Sequence, residues 1–368
     1  MQILCIDVGS GTQDILLLDT KQTMENAIQL VLPAPTVLVA QKIERATVSG
    51  TPIILIGETM GGGACTGALL RHLQAGFEAY ATTEAAKSFN DDLEKVVSWG
   101  VRLLSYDETV GLKTGTIIRM KDIDLDMLEK SLLCWGIKLK PDALGVAVLD
   151  HGAAPPGESQ RVFRFRQIEG LLQKNNSLES FIFNSTEIPG SFTRMLAVVR
   201  SVHKDIPLVL MDTGAAAVLG ASLDEVVAGH SHRLVINVGN SHAIAFLLDQ
   251  RRVMGLFEHH TSGLSLQKLD TLLEKLVLGN LSQNEVWSEG GHGSLIIESG
   301  HAPFVVTTGP RRILLAPSGL KPYFAAPFGS MMLTGCFGLT LGIAIKFPKC
   351  REEIEKALVL DRQHTITG

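Results

Sequence analysis

The five cysteines, at 5, 65, 134, 336 and 350, include no CxxC pair and no CxxxCxxC run. That spacing offers no disulfide framework and no cysteine set for zinc or an iron–sulfur cluster, and it suits a reducing compartment. Aromatic residues make up only 5% of the chain. The core must then be filled by aliphatic and small side chains, as in tightly packed α/β layers. Positive charge is not in excess either. The net charge of −5 gives no electrostatic basis for a nucleic-acid partner. No basic region precedes the first apolar run, and Asp7 interrupts that run, so a signal peptide is not expected. Residues 322–345 carry no charge and are long enough to span a bilayer. Yet Pro322, Pro327, Gly329 and Gly335 break the first half, and the rest is too short. A loop entering a buried helix is expected, with no membrane partner and a cytoplasmic location.

What is present is organised around residues 3–19. Ile3-Leu-Cys-Ile6 and Ile15-Leu-Leu-Leu18 are apolar runs joined by Val8-Gly-Ser-Gly-Thr-Gln13, which predicts a β-hairpin with a glycine turn. Glycine lets a backbone approach a phosphate closely, and turn N–H groups can line an anion site. Asp7, at the strand end beside the turn, is suited to holding a divalent cation. Residues 233–249 repeat the design: an apolar strand, the turn Gly239-Asn240-Ser241, a second strand and Asp249. Two such hairpins mark two related halves facing one cleft. A chain of 368 residues is also long for a single core.

Between these anchors, residues 25–58 read as mostly extended, with strands at 36–40 and 52–56. Gly57 to Gly63 is a glycine-rich loop ahead of a helix over 64–74; without a following GK[ST], packing is its favoured role. Helices are expected over 87–99 and behind an Asp124 cap, and strands over 115–119 and 143–149. Strand 208–211 leads into Asp212 and a helix of small residues. A strand at 304–308 runs into Gly309, and Gly335 to Gly342 suits a tightly packed helix.

The stretch Asp7-x-Gly9-Ser10-x-Thr12, with apolar residues and an Asp after it, resembles the first phosphate motif of the actin-like ATPase superfamily. Residues 233–249 resemble its second phosphate motif, with Asn237 where Asp is usual. Asn cannot act as a base or carry charge to a metal. Asp212-Thr-Gly-Ala215-Ala216-Ala217 is similar to the acid-led helix crossing between halves, and Gly335 to Gly342 to the returning one. Thr308-Gly309-Pro310-Arg311 lies where the superfamily holds adenosine, with Pro310 replacing the usual second Gly. The resemblance implies an α/β fold of two RNase H-like halves flanking a nucleotide cleft. The first would take residues 1–225 plus the returning segment 336–368, and the second residues 226–335. ATP and Mg²⁺ are the implied cofactors, with Asp7 and Asp212 as metal-holding and catalytic candidates. Gly9, Ser10, Gly11, Thr12, Gln13, Gly239, Asn240 and Ser241 would bind phosphates, and Thr308, Gly309 and Arg311 the adenosine side.

Histidines form a second pattern. His151, His242, His259, His260 and His292 fall at expected strand ends or glycine turns, where imidazoles can bind metal, donate to phosphate or act as acid–base groups. Capping of local backbone is the plainer role. Clustering of at least two is expected, with His242 and His259 favoured as catalytic candidates. His230 and His232 lie in a polar linker.

The runs DHGAAPPGES, FEHHT, TTGPRR and MLTGCFG, with the first hairpin and MGGG, also resemble uncharacterised prokaryotic proteins labelled pyruvate formate-lyase activating enzymes. That label implies S-adenosylmethionine radical chemistry on a three-cysteine iron–sulfur cluster, and the cysteine triplet is missing here. Three classes of function follow. One is an ATP-dependent phosphotransferase, kinase-like or hydantoinase-like enzyme acting on a small molecule. Another is a nucleotide-switched activator or scaffold with little turnover, which Asn237 would suit. The third is a histidine-based metal-dependent hydrolase. A homodimer is left open as the assembly.

Overall fold

The chain was analysed as a computed structural model, which describes residues 1–112, 114–155, 157–202 and 205–364. The opening hairpin is present as β1 (Gln2–Val8) and β2 (Thr12–Asp19), extended by β3 (Ile28–Pro33). An insertion follows, with its own parallel sheet of β4 (Ile53–Gly57), β5 (Ala79–Ala81), β6 (Val101–Leu103) and β7 (Thr116–Met120), in the order β6-β5-β4-β7. The chain then returns to the first sheet through β8 (Ala143–Val148), β9 (Ile182–Asn184) and β10 (Leu208–Met211). The second half holds β11 (His232–Val238), β12 (His242–Asp249), β13 (Arg252–His260), β14 (Gly293–Ile296), β15 (Phe304–Thr308) and β16 (Tyr323–Phe324).

The two large sheets share the topology of five of their six strands. The first runs β3-β2-β1-β8-β10-β9 and the second β14-β13-β12-β11-β15-β16. In each, three antiparallel strands in sequence are joined on their first strand by two later parallel ones. This order, β3-β2-β1-β8-β10 against β13-β12-β11-β15-β16, is that of an RNase H-like half, and its duplication gives the actin-like ATPase fold.

Two buried helices cross between the sheets, Thr213–Ala221 and Thr334–Lys346. Their small residues bring backbone onto backbone. A Cβ added at Gly338 would run into the Ala216 carbonyl, and one at Gly220 into the Thr334 carbonyl. Around them lies a core drawn from both halves, including Val209, Phe246, Val306 and Phe337. Among the described residues no helix is long and apolar enough to cross a membrane. The returning segment continues as the helix Pro348–His364, and residues 365–368 lie outside the described residues.

The insertion departs from the expected extended reading of 25–58. Residues 36–40 belong to the helix Pro35–Val48 and not to a strand. Pro35 sits at the helix start, where its missing N–H costs nothing. Val39, Ala40, Ile43 and Ala46 then recur at helical spacing and are buried on one side. The expected helix over 87–99 is instead two short ones, Thr83–Lys87 and Leu93–Ser98.

His72 gives the insertion a pH signature. It is fully buried, with Nδ1 2.8 Å from Thr47 Oγ1 and Nε2 3.2 Å from the Glu78 carbonyl. Burial lowers its pKa below the ordinary 6.5. The unfolded chain therefore takes up the proton first. This contribution to stability is complete above about pH 6.5 and is lost as pH falls through the lower folded value. Hydrogen exchange at the β4 amides, corrected for its intrinsic pH dependence, should accelerate on the acid side. His72→Gln should flatten that rise, and an unchanged slope would contradict the assignment.

Candidate functional site

The two hairpin turns are built alike and meet. Gly9 N–H donates to the Thr12 carbonyl at 2.9 Å, and Gly239 N–H to the His242 carbonyl at 2.9 Å. Asp7 and Asn237 occupy matching places, two residues before each glycine. Ser241 Oγ donates to Ser10 Oγ at 2.7 Å, and Gly11 packs on the Asn240 side chain. The N–H groups of Ser10, Gly11, Asn240 and Ser241 donate no backbone hydrogen bond among the described residues. Turn N–H groups without a backbone acceptor thus lie on both hairpins, which meet at Ser10 and Ser241, as an anion site requires. Ser10, Asn240 and Ser241, but not Gly11, border a cavity of about 390 Å³, with Met60 to Gly63 of the insertion on another wall. The glycine-rich loop therefore lines the cavity as well as packing. Its Gly61 N–H donates to Asp122 Oδ1 at 3.3 Å.

Acids sit at the cavity floor. β1–β2 pairing places Asp7 opposite Asp14. Like charges directly opposite on a sheet repel. Oδ1 of Asp7 and Oδ1 of Asp14 are both sealed from solvent without a hydrogen-bond partner. Burial, then the charges of Asp14 and Asp212, push the Asp7 pKa well above the usual carboxylate range. Burial pushes Asp14 up to about 7. The second crossing helix begins against Asp7: a Cβ at Gly335 would collide with its carboxylate, so only glycine admits the acid there. Two orphaned carboxylate oxygens on facing strands fit a divalent cation, which would be held by Asp7 and Asp14.

Asp212, the other expected metal-holding acid, is hydrogen-bonded at both oxygens. Its Oδ1 accepts from Gly214 N–H at 2.9 Å, capping the first crossing helix, and its Oδ2 accepts from Arg164 Nη2 at 2.9 Å. Asp212 thus anchors Arg164 and lines the cavity as well. That guanidinium, 5% exposed, also donates through Nε to Glu258 Oε2 at 2.7 Å and through Nη1 to the Asp150 carbonyl at 2.9 Å. It therefore ties the first half to β13 of the second. Such a buried triad is costly to break, because a lone buried charge is left behind. Asp150 itself accepts from Gly152 and Met195 N–H, yet burial still raises its pKa to about 6.

Among the favoured histidines, His242 lines the cavity and His259 does not. Alternation along β13 puts Glu258 and His260 on the cleft side and His259 on the other face, where Nδ1 lies 3.0 Å from the His260 carbonyl. His242 instead neighbours His151, His260 and His292. Of the other expected binding residues, Gly9, Ser10, Thr12, Gly239, Asn240, Ser241, Thr308 and Gly309 border the cavity. Gln13 is turned to the Asp122 carbonyl at 3.1 Å, and Arg311 is exposed outside the cavity. Sequence reasoning did not reach Asp14, Arg164 or Glu258. Only Asp14 had a local signal, as an acid at the start of β2, next to the glycine turn.

Residues 60–314, more than half of the chain, match the model of a family described as "Putative pyruvate format-lyase activating enzyme (DUF1786)". No curated protein matches the chain. Among solved structures, the activator of the 2-hydroxyisocaproyl-CoA dehydratase from Clostridium difficile with bound ADPNP is 11% identical with a TM-score of 0.34, covering 99% of this chain and 98% of that one. Ethanolamine utilization protein EutJ from Carboxydothermus hydrogenoformans is 10% identical with a TM-score of 0.34, covering 92% and 89%. A ROK hexokinase from Thermus thermophilus is 14% identical with a TM-score of 0.32, covering 95% and 100%. These are likenesses only; the fold rests on the duplicated strand order.

Proposed function

The chain belongs to the DUF1786 family, and from that premise we propose that it is an ATP-binding protein that uses phosphoryl transfer to act on or activate a small molecule. The observation that carries this reading is the pair of matched glycine turns, in contact through Ser10 and Ser241 above the unpartnered Asp7 oxygen. In this reading the turn N–H groups hold the phosphates, and Asp7 with Asp14 holds a magnesium ion. Bound there, Mg²⁺ would neutralise phosphate charge. Thr308 and Gly309 border the adenosine side. The family's label calls for a cysteine-held cluster, and the cysteines that would ligate one are absent, so radical chemistry is not part of this proposal.

One observation favours a second reading. Asn237 takes the place that matches Asp7 and lines the same cavity. An amide there withholds the second charge, which suits slow hydrolysis and a nucleotide-operated switch. Calorimetric titration with ATP, ADP, AMP and adenosine, each with and without Mg²⁺, tests the proposal. Affinity should rise with phosphate number and with Mg²⁺. If adenosine binds as well as ATP, or nothing binds at millimolar concentration, the reading fails. Turnover measured on the same samples separates enzyme from switch.

The turn glycines are poor probes for this purpose. A Cβ at Gly239 would sit 2.7 Å from the His242 carbonyl, so Gly239→Val disturbs the hairpin itself. Ser241→Ala is cleaner. It removes the Ser10–Ser241 contact and leaves the turn N–H groups in place. It should lower ATP affinity only a few-fold, in line with about 0.5–1.5 kcal/mol for one neutral hydrogen bond. A hundredfold loss in titration would show that the hydroxyl, and not the backbone, carries binding.

A further inference from the structure

Beside the phosphate turns lies a group of imidazoles that nucleotide binding does not use. His151 follows β8 in the first half. His242 opens β12 and His292 precedes β14 in the second. One ring nitrogen from each lies within 4.8 Å of the other two, and no other group of three potential metal ligands occurs among the described residues. The ring centroids are 5.7 Å apart for His151–His242, 5.1 Å for His151–His292 and 4.9 Å for His242–His292. We propose that His151, His242 and His292 bind one divalent transition-metal ion of the zinc class, which bridges the two halves and keeps one coordination position open to the cavity.

Orphaned nitrogens are the first support. Both ring nitrogens of His292, only 2% exposed, and Nε2 of His242 are buried without a hydrogen-bond partner. Leaving buried polar atoms unpaired costs about 1–3 kcal/mol each, and a shared ion would satisfy them at once. Spacing is close to what is needed. Zn–N bonds of about 2.0–2.1 Å in a tetrahedron put nitrogens about 3.3 Å apart, a gap that small ring rotations close.

The surroundings favour a cation. Arg164 faces the rings but is paired with both Asp212 and Glu258, so that buried group is net negative. Glu258 keeps its Oε1 free beside the imidazoles, as carboxylates that orient metal-bound histidines do. The backbone fixes His292: its N–H donates to the Glu258 carbonyl at 2.9 Å, and its carbonyl accepts from Trp287 Nε1 at 2.6 Å. His151 and His242 line the cavity while His292 does not. Three protein ligands with an open fourth position is the arrangement of zinc sites that bind water or substrate. Borderline divalent ions suit imidazole, whereas Mg²⁺ prefers oxygen.

The test uses the full chain, stripped with chelator and titrated with Co²⁺ and with Zn²⁺ in excess Mg²⁺ and without nucleotide. Excess Mg²⁺ competes for the carboxylate seat and the histidine variants identify the imidazole one, so this result stands apart from nucleotide binding. Wild type should take up one Co²⁺ per chain, with visible bands of a four-coordinate ion, and Zn²⁺ should displace it. His151→Ala and His292→Ala should each weaken uptake on the order of 100-fold or more, beyond the 10–100-fold typical of outer-shell partners. His292→Gln, which preserves bulk, serves if the alanine variant fails to fold. His232→Ala, at an exposed site, should bind as wild type. Absence of stoichiometric uptake by wild type, or equal uptake by the folded His151 and His292 variants, overturns the proposal.

Discussion

Asp7→Asn should abolish the Mg²⁺-dependent part of nucleotide binding while leaving a folded and somewhat more stable apo protein. The exchange keeps shape and hydrogen-bonding atoms and removes one charge. In the native chain Asp7 faces Asp14 across the β1–β2 pair, and each has a buried oxygen with no partner. Without a cation, ionisation of Asp7 is unfavourable there, whereas the amide cannot ionise, so the apo variant should be the more stable of the two as pH rises above the ordinary carboxylate range. With ATP and Mg²⁺ the sign reverses. The metal loses half its seat, and affinity or turnover should fall by something on the order of 10²-fold or more, where a metal stabilises phosphoryl charge. Thermal shifts of both proteins, with and without ATP and Mg²⁺, read both effects. Equal ligand-induced shifts would remove Asp7 from the site.

Gly338→Val should be among the most damaging single changes in the chain. Its Cβ would fall on the Ala216 carbonyl, as one at Gly220 would on the Thr334 carbonyl. The obstruction is backbone on both sides, so no rotamer relieves it and the crossing helices must separate. Overpacking of side chains costs about 1–3 kcal/mol, occasionally more; rigid backbone contact belongs at the upper end or beyond. These helices join the halves, so nucleotide response should weaken along with stability. Gly170→Ala is the contrast. That glycine lies inside the helix Gln160–Lys174 with nothing within 4 Å of an added Cβ, and alanine there should add about 0.5–1 kcal/mol. Denaturant melts of both variants check the pair. A Gly338→Val protein as stable as wild type would mean that the crossing is looser than described.

The frame of the fold was legible because its signals are local. Each hairpin is two apolar runs around a glycine turn, and each crossing helix carries closely spaced small residues. The insertion was less legible. Apolar β-branched content at 36–40 reads as a strand, and only Pro35 with the later Ile43 and Ala46 shows that the pattern is helical. At the site, the two glycine turns could be read in order. The Arg164–Asp212–Glu258 triad could not, since it joins residues 48 and 94 apart. His259 was favoured over its neighbours, although strand alternation puts it on the far face and leaves Glu258 and His260 toward the cleft.

A crystal structure with a non-hydrolysable ATP analogue and Mg²⁺ tests the central claim most directly. The account predicts phosphate density between Ser10–Thr12 and Gly239–Ser241, with the cation on the Asp7–Asp14 side. Nucleotide bound elsewhere, or an empty cleft in crystals grown with saturating analogue, would contradict it.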